Sequence, residues 1–273
     1  MVELREGYVQ AGDYRTHYVE TGSGKPVLML HSADPGSGGA MEFRHNIGPF
    51  GEHFRVVAPD IIGFGKTDPP LSLLTHPAYV EHMLAFIDAI GLQDFNLVGN
   101  SRGGLIAISV AAERPAQVGR MVLAGNAGGG IPPEMQAHAL SAFANYTPSP
   151  ENIRTILGRS YFDLDRSVTP EELNQYLEAS KPQYESYARV GGYPMDVPNL
   201  KPLLAEMKTP VLFFFGKDDK VFAIEQGLAG FVSTPGARFF GISNCGHHPQ
   251  SEYPKEFNAL AIPFLKGELE PGT

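Results

Sequence analysis

The chain has 273 residues, 42% hydrophobic and 19% charged, a size and composition that suit one large α/β domain or a domain carrying an insertion. A formal net charge of −9 at pH 7 argues against a nucleic-acid partner and against an anionic membrane surface. One cysteine, Cys245, leaves no disulfide framework and no cysteine-based zinc site. The acidic, apolar-poor N-terminus and the lack of a window near the roughly 18 apolar residues of a membrane span lead us to expect a soluble cytoplasmic protein.

The segment "THYVETG" (16–22) alternates in polarity and predicts an antiparallel edge strand. The runs "PVLML" (26–30) and "FRVVAPD" (54–60) are continuously apolar, as strands of a parallel sheet covered on both faces are. "AYVEHMLAFIDAIGL" (78–92) has helical spacing and stops at Gly91. "FNLVGN" (95–100) predicts a strand, and "GGLIAISVAAERP" (103–115) a helix buried nearly all round that ends before Pro115. After the strand "RMVLAGN" (120–126) the alternation breaks, and residues 130–207 read as four helical stretches without a strand. These are "PPEMQAHALSAFANY", "SPENIRTILGRSYF", "TPEELNQYLEAS" and "PNLKPLLAEM", with Pro132, Pro150 and Pro170 near helix starts. We expect 130–207 to be a helical lid on a core formed by 1–129 and 208–273. The core resumes with the strands "PVLFFFG" (210–216) and "ARFFGIS" (237–243) and closes with the helix "PKEFNALAIPFLKGE" (254–268), which Pro263 is expected to kink. Strand–helix alternation of this kind predicts a doubly wound α/β sheet.

The chemistry-bearing signal is Gly99-Asn100-Ser101-Arg102-Gly103, a G-x-S-x-G motif between a predicted strand and a predicted helix. A serine on so sharp a turn needs minimal flanking side chains. The turn lifts the hydroxyl clear of the sheet and aims backbone N–H groups at developing negative charge. A serine nucleophile needs a base, and the base an orienter, in the chain order Ser, acid, His. Asp219, with Asp218 as fallback, follows the strand 210–216, where α/β sheets present ligand-facing groups. His247, after Gly246, is the expected base, and His248 lies beside the site. The stretch His31-Ser32-Ala33-Asp34 contains all three triad residue types, but four successive loop residues cannot form a relay facing one substrate atom. No histidine spacing suggests a metal site and no glycine pattern a nucleotide, so no cofactor is expected.

With these motifs in place, the chain resembles the α/β-hydrolases, and among them the meta-cleavage product hydrolases, which split a carbon–carbon bond in ring-fission products of aromatic catabolism. The resemblance rests on "HSADPGSGG", "EHFRVVAPDIIGFGKTD", "LVGNSRGG", "SYFDLDRSVTPEELNQYLEAS", "GKDDKV" and "NCGHHPQSEYPKEFN". It implies a mostly parallel eight-stranded sheet with helices on both faces, and Ser101, Asp219 and His247 as the catalytic triad. It also implies an oxyanion hole from the backbone N–H of Arg102 and of Ala33 or Ser32. Asn100 matches the asparagine the family carries before its serine. The pocket is expected to include Asp34, Glu42, Asn100, His248 and the lid residues Phe143, Tyr161 and Phe162. Ser32, Ala33 and Asp34 stand where the family usually has glycines, and Ala40 and Glu42 where it has tryptophan and asparagine. Tyr176 or Leu177 falls where its lid arginine is expected. Asp34 must therefore point away, pair with a cation such as Arg102 or Arg44, or be protonated.

Three functions follow as expectations. The first is a hydrolase cutting a carbon–carbon bond beside a ketone in a 2-hydroxy-6-oxo-dienoate-like or related diketone substrate. The second is a carboxylesterase or lactonase on the same triad, and the third a non-catalytic ligand-binding member of the fold. The expected partner is a small-molecule substrate; a homodimer is compatible with the chain.

Overall fold

The computed structural model describes residues 3–126, 128, 145–193 and 196–269. Eight strands form one sheet: β1 (Arg5–Ala11), β2 (Tyr14–Thr21), β3 (Pro26–Leu30), β4 (Arg55–Pro59), β5 (Phe95–Asn100), β6 (Val118–Ala124), β7 (Val211–Gly216) and β8 (Arg238–Ile242). Their order is β1-β2-β4-β3-β5-β6-β7-β8. β2 runs antiparallel to both β1 and β4, and every later pairing is parallel. The edge position expected for residues 16–22 belongs instead to β1, whose sequence REGYVQA is largely exposed and contains no apolar run.

The central strands alternate their side chains between two cores. Leu28, Leu30, Leu97, Met121, Leu123 and Phe213 meet α3 (His76–Ala89) and α4 (Arg102–Glu113) on one face. Val27, Met29, Val98, Val122, Leu212 and Phe214 meet Phe43 and Phe50, from around the short helices α1 (Gly39–Glu42) and α2 (Ile47–Gly51), on the other. Both faces are covered, so the strands are apolar throughout.

Between β6 and β7 the described residues hold only helices: α5 (Pro150–Ser160), α6 (Leu164–Ser167), α7 (Pro170–Arg189) and α8 (Lys201–Ala205). Thr169 and Glu172 form a reciprocal capping box at the start of α7. α7 runs on through Pro182, beyond the expected end near residue 180, because Tyr176, Leu177, Gln183 and Tyr187 keep one face buried on both sides of the proline. The stretch "PPEMQAHALSAFANY" lies almost wholly outside the described residues. After β7 come α9 (Ile224–Ser233), α10 (Pro249–Glu252) and α11 (Pro254–Lys266), with Pro263 inside α11.

The chain order reverses direction across the sheet at β3, which lies between β4 and β5. The carboxyl ends of β3 and β5 are therefore adjacent, with Leu30 opposite Gly99, and the loops leaving them diverge. In an open α/β sheet this switch point is where a ligand crevice forms.

Candidate active site

Ser101 sits between β5 and α4 at φ 51° and ψ −117°, a conformation L-residues rarely adopt and one that costs about 1–3 kcal/mol. The neighbouring glycines make this turn sterically feasible. A Cβ on Gly99 would lie 2.6 Å from the Gly103 carbonyl oxygen, and one on Gly103 would overlap the Leu30 carbonyl. The Ser101 N–H donates to the Ala124 carbonyl at 3.0 Å, and Asn126 Nδ2 donates to the Ser101 carbonyl at 3.0 Å, so the end of β6 and the loop after it pin the turn from both sides.

Asp219 follows β7, and its Oδ1 accepts the backbone N–H groups of Val221 (2.7 Å) and Phe222 (2.9 Å). Its Oδ2 is 2.7 Å from His247 Nδ1, both side chains being buried. Asp218, the alternative, turns away and accepts the N–H of Asn244 at 2.8 Å. The His247 N–H donates to the Ser160 carbonyl at 2.7 Å, and a Cβ on Gly246 would come within 2.6 Å of that same oxygen. The histidine loop can thus approach α5 only with glycine before His247. Burial pushes the Cys245 thiol far up, which leaves it a poor nucleophile.

Ser101 and His247 face one cavity of about 40 Å³, completed by Ala33, Asp34, Arg102, Leu105, Tyr193, Val197, Val221 and Phe222. A second cavity of about 190 Å³, lined by Tyr146, Ser180, Gln183, Tyr184 and Tyr187, shares Tyr193 with it.

The loop after β3 is braced from beneath. His31 Nε2 accepts the Ile61 N–H at 2.9 Å, which puts the ring proton on Nδ1, where it meets the Ser32 carbonyl at 2.7 Å. Burial lowers the His31 pKa and keeps the ring neutral. Both Glu42 carboxylate oxygens lie 2.9 Å from the Ser32 N–H, and the Ser32 hydroxyl donates to Glu42 at 2.6 Å. Two expectations are corrected here. The Ser32 N–H is already committed and is no oxyanion donor, and Glu42 anchors the loop rather than lining the cavity.

Asp34 lines the cavity but pairs with neither Arg102 nor Arg44. Its Oδ2 is 2.7 Å from His248 Nε2, and the Ser160 hydroxyl donates to Oδ1 at 3.2 Å. Burial alone would raise the Asp34 pKa; the hydrogen bond and charge of His248, with His247 and Ser160, outweigh it and hold the carboxyl below its ordinary range. For His248 burial acts to lower the pKa, but Tyr161, Asp34 and Glu42 overcome it and push it up to about 10. Both shifts favour the charge-separated form of this buried pair, imidazolium beside carboxylate.

Of the remaining predicted pocket residues, Asn100, Tyr161, Phe162 and His248 do not line the cavity. Asn100 lies behind it and donates to the carbonyls of Ala124 (3.1 Å) and His247 (2.9 Å). Tyr161 stacks on His248 with ring centroids 4.7 Å apart, and His248 itself is turned toward Asp34. Phe162 is 40% exposed. Phe143 lies outside the described residues. The guanidinium of Arg102 donates to the Asp196 carbonyl at 2.6 Å and lies 5.3 Å from the centre of the Tyr79 ring.

Sequence reasoning missed Leu105, Tyr193, Val197, Val221 and Phe222. Leu105 stands one helical turn after Ser101, a spacing that could have found it. Val221 and Phe222 stand two and three residues after Asp219, in the turn that caps its carboxylate. Tyr193 donates to the Ala33 carbonyl across 160 residues, and no local pattern announces that contact.

Among the described residues no cluster of His, Cys, Asp and Glu is arranged to hold a metal ion, and no helix is long and apolar enough to cross a membrane.

Comparison with known proteins agrees with this geometry. A family model of the alpha/beta hydrolase fold matches residues 25–254. The 2-hydroxy-6-oxo-6-phenylhexa-2,4-dienoate hydrolase of Comamonas testosteroni is 33% identical over 97% of this chain and 99% of its own. The 2-hydroxymuconate semialdehyde hydrolase of Pseudomonas putida is 30% identical over 94% of this chain and 92% of its own. Among solved structures, a meta-cleavage product hydrolase from Pseudomonas fluorescens IP01 superposes with a TM-score of 0.87 at 29% identity, covering 96% of this chain and 98% of that one. The chain therefore belongs to the α/β-hydrolase family of enzymes, and within it is similar to the meta-cleavage product hydrolases.

Proposed function

We propose that this enzyme is a serine hydrolase that cleaves the carbon–carbon bond beside a ketone in a 2-hydroxy-6-oxo-dienoate-type product of aromatic ring fission. The observation that carries the reading is the single cavity shared by a strained-turn serine and a histidine held at 2.7 Å by a buried aspartate. The near full-length likeness to hydrolases named for such substrates supplies the bond class.

In this mechanism His247 Nε2 takes the Ser101 hydroxyl proton as Oγ adds to the ketone carbon. The backbone N–H groups of Ala33 and Arg102 receive the resulting oxyanion, each donor being worth about 3 kcal/mol. Collapse breaks the bond to the neighbouring carbon. In the keto tautomer that carbon's electron pair is delocalised, and His247 returns the proton to it. Water, deprotonated by His247, then attacks the acyl-Ser101 ester, and the serine is regenerated with release of a carboxylic acid. Asp219 fixes the tautomer of His247 throughout.

The segment 130–207 acts as a lid on the core of residues 1–129 and 208–273. Support for this comes from the bonds that fasten it to the oxyanion loop and the histidine loop, among them Gln183 Oε1 accepting from the Gly36 N–H at 2.8 Å. The larger tyrosine-lined cavity next to Tyr193 is the place for the bulky part of the acyl group.

A second reading, an esterase or lactonase, is favoured by one observation. The cavity wall carries the carboxylate of Asp34, while the Arg102 guanidinium is engaged by Asp196, an arrangement better suited to a neutral substrate than to a dienoate. Both readings are tested by mixing purified protein with 2-hydroxy-6-oxo-6-phenylhexa-2,4-dienoate and, separately, with short p-nitrophenyl esters. Loss of the dienolate absorbance, abolished in Ser101→Ala, supports carbon–carbon cleavage. Ester turnover with the dienolate left intact supports the second reading.

A further inference from the structure

Two Asp–His pairs lie side by side at this site. His247 and His248 are consecutive, their ring centroids are 5.4 Å apart, and each meets its own aspartate at 2.7 Å. The Asp219–His247 pair accounts for proton transfer, whereas Asp34–His248 has no part in it. Yet Asp34 is the only carboxylate among the described residues that line the reaction cavity, and most of its fellow lining residues, Ala33, Leu105, Val197, Val221 and Phe222, are apolar.

The Asp34 carboxylate is fixed in place. It is 3% exposed, with one oxygen on His248 and the other accepting from Ser160. A carboxylate offers about four lone-pair sites, so these two bonds leave acceptor capacity. His248 in turn cannot swing away, because Tyr161 stacks on its ring. The held anion stands in the same small cavity as the serine and the oxyanion donors. A neighbouring O–H or N–H on the substrate gains a charge-assisted hydrogen bond there, and a second carboxylate meets the negative end of the Asp34–His248 pair in a poorly solvated space.

We propose that Asp34 determines specificity: its carboxylate accepts a hydrogen bond from a hydroxyl or N–H on the carbon next to the scissile carbonyl, and it turns away substrates that carry a carboxylate on that carbon. The 2-hydroxy-6-oxo-dienoates remain admissible, since their carboxylate is several carbons from the ketone attacked. The proposal rests on Ser101 being the nucleophile but holds for either bond class.

The test uses a neutral fluorophosphonate that labels Ser101 and three aryl ketones as competitors. These are 2-hydroxyacetophenone, acetophenone and benzoylacetate, which place a hydroxyl, a hydrogen or a carboxylate beside the same carbonyl. In the wild type, 2-hydroxyacetophenone should slow labelling at a concentration about tenfold below that of acetophenone, and benzoylacetate only about tenfold above it. In Asp34→Asn the benzoylacetate disadvantage should shrink to about threefold or less. Because removing one half of a buried pair can destabilise the fold, the double variant Asp34→Asn/His248→Gln is measured in parallel and should show the same collapse. Equal spacing of the three ketones in wild type and both variants overturns the proposal while leaving the serine reading intact. Failure of the probe to label wild-type Ser101 at all overturns both, and is recognised before any ketone is added.

Discussion

At the scale of single residues, the site separates two aspartates that the sequence leaves adjacent. Asp219→Asn should lower kcat by about 10⁴-fold, because an amide cannot hold His247 in the tautomer that accepts the serine proton. Asp218→Asn, whose carboxylate serves the Asn244 N–H, should stay within about twofold of wild type. Steady-state kinetics on whichever substrate is turned over decides this; equal losses in the two variants would refute the assignment. The Asp34–His248 pair gives a pH signature. His248 titrates near 10 in the folded protein against an ordinary 6.5, so its contribution to stability is complete below about pH 6.5 and is lost as pH rises toward 10. Asp34, shifted down, contributes above its ordinary value of about 3.8 and loses that contribution as pH falls through its lowered value. Urea unfolding of wild type and His248→Gln at pH 6, 8 and 10 should show the wild-type advantage shrinking steadily with pH. An advantage that grows toward pH 10 would contradict the ion pair.

At the scale of elements, the turn from β5 into α4 depends on backbone approach that no side chain tolerates. Gly103→Ala drives a methyl into the Leu30 carbonyl and should cost at least about 2 kcal/mol in urea unfolding. Gly158→Ala, inside α5 with nothing within 4 Å of the added atom, should instead stabilise by up to about 1 kcal/mol. Similar effects at the two glycines would mean that the elbow is looser than described. This level of structure was largely legible in the sequence, since a continuous apolar run followed by a glycine-flanked serine carries its own geometry. β1 escaped notice because a half-exposed edge strand needs no such run, and the length of α7 because burial outweighed a proline. The pocket was far less legible. Ser32 and Glu42 meet over 10 residues and Asp34 and His248 over 214, and only folding decides which polar groups consume each other. A residue type can announce a catalytic role when a local motif frames it. It cannot reveal that its own N–H is already spoken for.

At the scale of the whole molecule, the formal charge of −9 sets a long-range field that opposes an anionic substrate. If the substrate is a dienoate, kcat/KM should rise about twofold to fivefold between 10 and 200 mM salt as that repulsion is screened, whereas turnover of a neutral ester should be nearly flat. A fall with salt for the dienoate would indicate a local cationic funnel that outweighs the net charge. The consecutive histidines bind this global chemistry to the local one. His247 and His248 share a peptide unit, so the pose of the catalytic base and the pose of the selectivity anchor are set by one short piece of backbone. A lineage that altered its taste by substituting residue 34 would also tug on the base, and would need a compensating change near Tyr161 or Ser160 to recover speed. Evolution of new preferences in this enzyme should therefore proceed by paired substitutions, with an intermediate that is slower than either ancestor or descendant.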